Sequence, residues 1–210
     1  MNNKGIIIIV SGPSASGKGT VVSRALEKAD EARIDVQLSV SMTTRYIGKG
    51  EVDGESYYYV SKEAFKQHIA NHNLAEYNCY AGEYYGTPKD KLEKWLAAGS
   101  SVILEIDVNG ARQVLSQYPE AVTVYILPPS FQELEYRLRN RGRDSEEKIR
   151  YRLEKGREEI PEAHWYDYIL VNEIIEESAD DLLCIIRAEK NSRRRIEYKI
   201  DEVLATYGEE

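Results

Sequence analysis

The stretch Gly12–Pro13–Ser14–Ala15–Ser16–Gly17–Lys18–Gly19–Thr20 constrains the fold of this chain most, because of what flanks it. Before it runs Gly5–Ile6–Ile7–Ile8–Ile9–Val10, a continuous β-branched run that reads as a strand buried in a parallel sheet. After it, Val21, Val22, Ala25 and Leu26 recur at helical spacing between Thr20 and Ala29. Glycines let a backbone curl until several N–H groups face inward, and the helix that follows adds the positive end of its dipole. Such a turn cradles phosphates, with Lys18 as a movable cation for the β- and γ-phosphates of a nucleotide. The bare spacing Gly-x4-Gly-Lys arises by chance in about 6% of chains this long. Its place between strand and helix cuts that several-fold.

The same rhythm returns further on. Ser101–Asp107 reads as a second buried strand followed by a helix over Val108–Leu115. Ala121–Leu127 is a third, closed by Pro128–Pro129 and a helix from about Ser130 to Asn140. Tyr168–Val171 is a fourth, with a helical stretch from Ser178 into Arg193–Arg194–Arg195, whose arginines read as a solvated face. Strand and helix in alternation predict an α/β fold, a doubly wound parallel sheet flanked by helices. Two stretches interrupt it. Residues 41–87, rich in Tyr, Gly and polar residues, read as an inserted small mixed β subdomain with one helix near Lys62–Asn71. Residues 137–157, dense in Arg, Lys and Glu, read as a helical lid with little apolar surface to bury. The P-loop core is then 1–40, 88–136 and 158–210.

Composition narrows the partners. The chain has 28 basic and 36 acidic residues, a net charge of −8, which disfavours nucleic acid. No apolar run reaches the roughly 18 to 20 residues of a membrane helix, and Ile6–Val10 is too short for a secretory signal. Two cysteines, Cys79 and Cys184, make neither a disulfide framework nor a metal site and read as reduced thiols in a cytoplasmic protein. In a chain this acidic, phosphate binding requires the cations to be gathered at one place.

A second constellation follows the cradle: Ser39–Val40–Ser41–Met42–Thr43–Thr44–Arg45, Gly50–Glu51–Val52–Asp53–Gly54, and Tyr57 and Tyr59. Beyond it stand Glu76, Tyr84–Tyr85–Gly86–Thr87 and Glu105–Ile106–Asp107–Val108–Asn109–Gly110. In this order, behind this P-loop, the segments resemble the guanylate kinase family from about Ile6 to Asn172. The resemblance implies transfer of the γ-phosphoryl group of ATP to GMP or dGMP, with Mg2+ brought by ATP. It implies that Arg45 and the phenols of Tyr57 and Tyr85 hold the GMP phosphate. Glu76 would accept from guanine N1–H and the exocyclic amine, Ser41 and Thr87 would lie near O6, and Asp107 would contact the base amine or the metal shell. Arg137, Arg141 and Arg152 match the lid arginines, and Asn172 the place where adenine of ATP packs. Thr20 and Asp107 are the candidate metal residues, directly or through water.

The chemistry supports the base reading independently. Guanine offers two adjacent donors beside an acceptor, so a carboxylate with hydroxyls is its complement, and such a site can reject a wrong base by about 10⁴ or more. On strand alternation alone, Glu76 reads as an outward-facing residue, and most of the 16 tyrosines as packing or surface. The charged stretch alone equally fits a solvated helix with pairs to Glu146, Glu147 and Glu154.

The sequence departs from the general P-loop at one place, in a way that resembles monophosphate kinases, and from the family at two. Gly19 stands where the general P-loop has Ser or Thr, and the hydroxyl comes one residue later at Thr20. A second arginine usual three residues after Arg45 is absent, and Lys49 is the nearest cation, a point charge and not a fork. Met42 replaces a small polar residue. Two other readings stay open: a kinase for another phosphorylated acceptor, such as ribose 1,5-bisphosphate, and a non-catalytic guanylate-kinase-like binding module.

Overall fold

A computed structural model describes residues 4–80, 82–140 and 145–207. In chain order the elements begin β1 (Ile7–Ser11), α1 (Lys18–Glu31), β2 (Val36–Leu38), β3 (Met42–Thr43), β4 (Tyr58–Tyr59) and α2 (Lys62–Ala70). They continue with β5 (Leu74–Tyr80), β6 (Glu83–Pro88), α3 (Lys89–Ala97), β7 (Ser101–Glu105), α4 (Val108–Gln117) and β8 (Val122–Leu127). The remainder is α5 (Phe131–Asn140), α6 (Glu146–Glu159), a 3-10 helix (Ile160–Trp165), β9 (Tyr168–Val171), α7 (Ile175–Lys190), α8 (Arg193–Ile196) and α9 (Tyr198–Ala205).

Five strands form a parallel sheet in the order β2-β7-β1-β8-β9. The unbroken apolar run of β1 follows from its central place. Ile6, Ile8 and Val10 pack toward α1 and α7, and Ile7 and Ile9 toward α3, α4 and the 3-10 helix. Burying one such side chain contributes roughly 1.5–3 kcal/mol, so both faces of this strand are committed to core. The chain leaves β1 on one side, returns through β7, and crosses to β8 on the other. The crevice where strand order reverses therefore lies beyond the carboxyl ends of β1, β7 and β8, the place where open α/β sheets bind ligands.

The second sheet has four strands in the order β4-β3-β6-β5. Its period-two alternation separates two tasks. Met42, Phe65 and Leu74 are buried together, with Tyr58, Val60, Ile69 and Tyr84 packed against them and Phe65 stacked on Tyr84 at 5.3 Å. Met42 is thus apolar because it faces α2. Register places Glu76 opposite Thr87 and Asn78 opposite Tyr85, so these four share the other face. α2 begins at Ser61, whose hydroxyl accepts from Ala64 N–H at 3.1 Å.

The structure adds β2, α3, the 3-10 helix and α9 to the elements read from sequence, and divides the helix that reaches Arg195 into α7 and the short α8. The arginines of α8 are not solvated throughout: Arg193 and Arg194 are exposed, as their sequence suggests, and Arg195 is not. Arg194 pairs with Glu189 at 2.7 Å, and Arg195, its side chain 13% exposed, donates to the Glu120 carbonyl at 2.6 Å. Nor is the charged segment wholly polar: Leu134, Leu138 and Ile149 are buried with Ala15 of the phosphate loop. Among the described residues no helix is long and apolar enough to cross a membrane.

Phe65 is fully buried at the centre of the small sheet's core. Phe65→Ala should cost about 3–5 kcal/mol in urea unfolding; a loss below about 1 kcal/mol would mean that this cluster does not hold the sheet.

Candidate active site

The loop between β1 and α1 curls as the sequence requires. Gly12 (φ 147°), Ala15 (φ 70°) and Gly17 (φ 94°) all have positive φ. A Cβ on Gly12 would lie 2.2 Å from the Ile126 carbonyl oxygen, and one on Gly17 would lie 2.1 Å from Asn172 Nδ2, so neither tolerates a side chain. Ala15 carries the same hand at some cost in strain and is buried against α5 and α6. α2, α4 and α6 each have a side-chain cap, whereas α1 has none and no acid in its first turn. Its first N–H groups are left to an anion. Lys18 Nζ lies over the loop, donating to the carbonyls of Gly12 (2.6 Å) and Pro13 (3.2 Å). The Ser16 hydroxyl is fully buried and has no hydrogen-bond partner among the described residues. Thr20 is exposed on the first turn.

Beneath the loop, two side chains hold the Ser16 carbonyl. Asn172, 2% exposed, donates Nδ2 to it at 2.8 Å, and Arg137 donates Nη1 at 3.2 Å. Arg137 also donates to the Asn172 carbonyl at 3.0 Å and, through Nε, to Glu133 at 2.8 Å. Asn172 lines neither cavity described below; it lies behind the cradle. Arg152, on α6, donates to the Ser14 hydroxyl at 3.1 Å. Arg141 lies outside the described residues.

The functional face of the small sheet gathers a second set. Arg45 Cζ is 5.1 Å from the Tyr57 ring centre and 5.8 Å from that of Tyr59, and Tyr57 meets Tyr85 edge-on at 6.0 Å. Glu51 grips the Arg45 fork at 2.7 and 2.8 Å and also accepts from Tyr59 OH (2.8 Å) and Gly48 N–H (2.6 Å). These donors hold the Glu51 carboxyl down at about 2, Arg45 first among them. The Glu51 carboxylate in turn raises the Arg45 pKa above its already high value. Gly48, where the second arginine would stand, offers only its N–H, and Lys49 is exposed.

Glu76 is 6% exposed, not outward-facing as alternation alone suggests. A cavity of about 130 Å³ opens beside it, lined by Ser41, Tyr57, Glu76, Asn78, Tyr85, Glu105 and Asp107 among others. Thr87 donates its hydroxyl to Glu76 at 2.7 Å. Burial dominates and lifts the Glu76 carboxyl to about 7, with the Asp107 charge adding to the rise and the Thr87 hydroxyl opposing it. Asp107 caps α4, accepting from Gly110 N–H at 2.8 Å. A larger cleft of about 890 Å³ runs past Gly12, Ser14 and Lys18 to Arg152, Lys155 and Glu159, where burial raises the Glu159 carboxyl. Asn78, Glu105 and Asp107 line both cavities, which therefore adjoin.

Of the residues singled out in the sequence, Gly12, Ser14, Lys18, Arg152 and Asp107 line one cleft, Ser41, Tyr57, Glu76, Tyr85 and Asp107 line the adjoining cavity, and Arg137 and Asn172 hold the cradle from behind. Reading residue by residue missed Glu51, Glu105 and Asn78. Glu51 and Glu105 belong to the quoted motifs. Asn78 was findable by alternation, two positions beyond Glu76 on the same strand. Among the described residues no group of three or more His, Cys, Asp or Glu could hold a metal ion by itself.

Comparison with known proteins bears on this arrangement. The family model described as guanylate kinase matches residues 4–189. The guanylate kinase of Carboxydothermus hydrogenoformans is 43% identical over 198 residues, covering 94% of this chain and 95% of its own. That of Lactobacillus delbrueckii subsp. bulgaricus is 45% identical over 196 residues, covering 93% and 95%. The crystal structure of guanylate kinase from Anaplasma phagocytophilum superposes with a TM-score of 0.74 at 35% identity, covering 91% of this chain and 89% of that one. A phosphate cradle, a buried carboxylate facing it across adjoining cavities, and likeness along nearly the whole chain agree: the chain belongs to the guanylate kinase family.

Proposed function

We propose that this chain is an ATP:GMP phosphotransferase, moving the γ-phosphoryl group of ATP to GMP or dGMP and leaving ADP and GDP or dGDP. The observation that carries the reading is the buried Glu76 carboxylate, held by Thr87 beside Ser41, in a cavity that joins the phosphate cleft. Keeping a carboxylate in so dry a place is costly unless a ligand supplies donors. Guanine N1–H and the exocyclic amine are two such donors, side by side. When they take the carboxylate, the Thr87 hydroxyl is released to turn with Ser41 toward O6. Adenine would leave the carboxylate unpaired.

In this reading residues 41–87 hold the acceptor, with Arg45, Tyr57 and Tyr85 on its phosphate. Exchange of the Glu51 carboxylate for the acceptor phosphate at Arg45 replaces one anion by another. The backbone of residues 12–20 and Lys18 hold the donor, and residues 137–157 form the lid, from which Arg141 and Arg152 approach. An oxygen of the GMP phosphate attacks the γ-phosphorus as the bond to the β–γ bridging oxygen breaks. No general base is needed, because that oxygen is already anionic. The protein's task is to oppose repulsion between two anions, align them and exclude water.

Mg2+ would arrive on ATP, with phosphate and water as its main ligands. Glu105, whose carboxylate would lie 3.6 Å from a Cβ on Gly19, and Asp107 and Thr20 would hold Mg2+ through water. The ion would supply positive charge against the β- and γ-phosphates. Cys79 and Cys184 are exposed and unpaired, in keeping with a cytoplasmic protein.

Purified protein given magnesium-ATP and, in turn, GMP, dGMP, AMP, CMP and UMP should form ADP with the guanine nucleotides; no ADP and no GDP would sink the proposal. Glu76→Gln should abolish GMP use while ATP binding persists. It should also raise the melting temperature above pH 7. The wild-type carboxyl binds its proton more tightly folded than unfolded, so wild-type stability falls as pH rises from about 4.5 to about 7. The variant's advantage should therefore be full above pH 7 and vanish below about 4.5. Arg141→Ala should lower kcat by about 10³ or more with ATP affinity nearly intact, and a normal kcat would remove it from the lid.

A further inference from the structure

Asn78 has no role in the reaction so far, yet it stands where the two cavities join. Both ends of its carboxamide are engaged. Oδ1 accepts from Cys79 N–H at 2.8 Å, and Nδ2 donates to Asp107 Oδ2 at 2.6 Å. The other oxygen of Asp107 accepts the capping N–H of Gly110. One oxygen is thus fixed from α4 and the other from β5.

The strand that carries Asn78 is itself fastened to that helix. Gln113 accepts from Tyr77 N–H at 3.1 Å and donates to the Tyr77 carbonyl at 2.9 Å, and Gln117 donates to the Ala75 carbonyl at 2.6 Å. The amide is therefore presented to Asp107 by a rigid support. It is needed there because Glu76, Glu105 and Asp107 line one small cavity, with Tyr57 and Tyr85 across from them. Like charges so close favour a carboxylate that turns away. A neutral donor opposes that without bringing a cation that would compete for the acceptor's own groups.

We infer that Asn78 is a positioning residue for the acceptor nucleotide, fixing the Asp107 carboxylate at the mouth of the base cavity. The inference rests on Asp107 belonging to the acceptor site, as proposed above. Asn78→Ala, the isosteric Asn78→Asp, Asp107→Ala and the double variant Asn78→Ala/Asp107→Ala would be assayed for kcat and for the KM of GMP and of ATP separately. Thermal melts would confirm that each is folded. Asn78→Ala should raise the KM for GMP about tenfold and leave that for ATP within about twofold. Asn78→Asp keeps the shape and the acceptor for Cys79 N–H but sets a charge against Asp107, so it should be worse still. In the Asp107→Ala background, Asn78→Ala should add less than about twofold. An Asp variant as active as wild type, independent effects of the two residues, or an unchanged KM for GMP in Asn78→Ala beside a raised one in Asp107→Ala would each overturn the inference. Asp107→Ala with unaltered GMP kinetics would instead remove the site assignment beneath it, and the inference with it.

Discussion

The carbonyl of Ser16 is the point on which the site depends. When the backbone of residues 12–17 curls with its N–H groups inward, its carbonyls must face outward into protein, where an unpaired one is costly. Asn172 from the end of β9 and Arg137 from α5 both donate to this oxygen, so the cradle is tied to the far edge of the sheet and to the base of the charged segment. Gly17 has no side chain because the Asn172 amide occupies the space beside it. Ala15, strained into a left-handed conformation, is kept there by packing against Leu134, Leu138 and Ile149. A phosphate site made of main-chain atoms is thus enforced by side chains remote in sequence.

The acceptor side solves a different problem. Its carboxylates are placed where water and cations cannot fully compensate them, and that burial, with the Asp107 charge adding to it, raises the Glu76 pKa. Each is held by neutral donors: a hydroxyl at Glu76, an amide and a helix N-terminus at Asp107. Arg45, the nearby fork, is engaged with Glu51. In the proposed reading such a face is acidic toward a base and basic toward a phosphate, and would give a nucleotide one direction in which to lie.

Legibility in the sequence follows the range of the physics. The cradle was readable because its chemistry is confined to nine consecutive residues and depends on glycine stereochemistry. The β1, β7 and β8 runs were readable because two-sided burial leaves continuous apolar, largely β-branched stretches, and β9 as a short apolar run at the half-exposed sheet edge. β2 was not: Val36–Leu38 is three residues on the sheet edge, none of them buried. The burial of Glu76 was hidden because alternation tells which face a residue takes and not what covers that face. Arg195 looked solvated for the same reason, since the Glu120 carbonyl meets it only in the folded chain. Asn78 and Asp107, 29 residues apart, touch only once β5 docks on α4.

That docking has a consequence beyond the nucleotide. β5 is the outer strand of its sheet, with Tyr77 and Tyr80 exposed along it, and a bare edge of this kind invites pairing with another molecule. Gln113 answers the N–H and the carbonyl of Tyr77 as a neighbouring strand would. A single side chain thereby ends the ladder, and protection from intermolecular β-association is built into the same helix that orders the site.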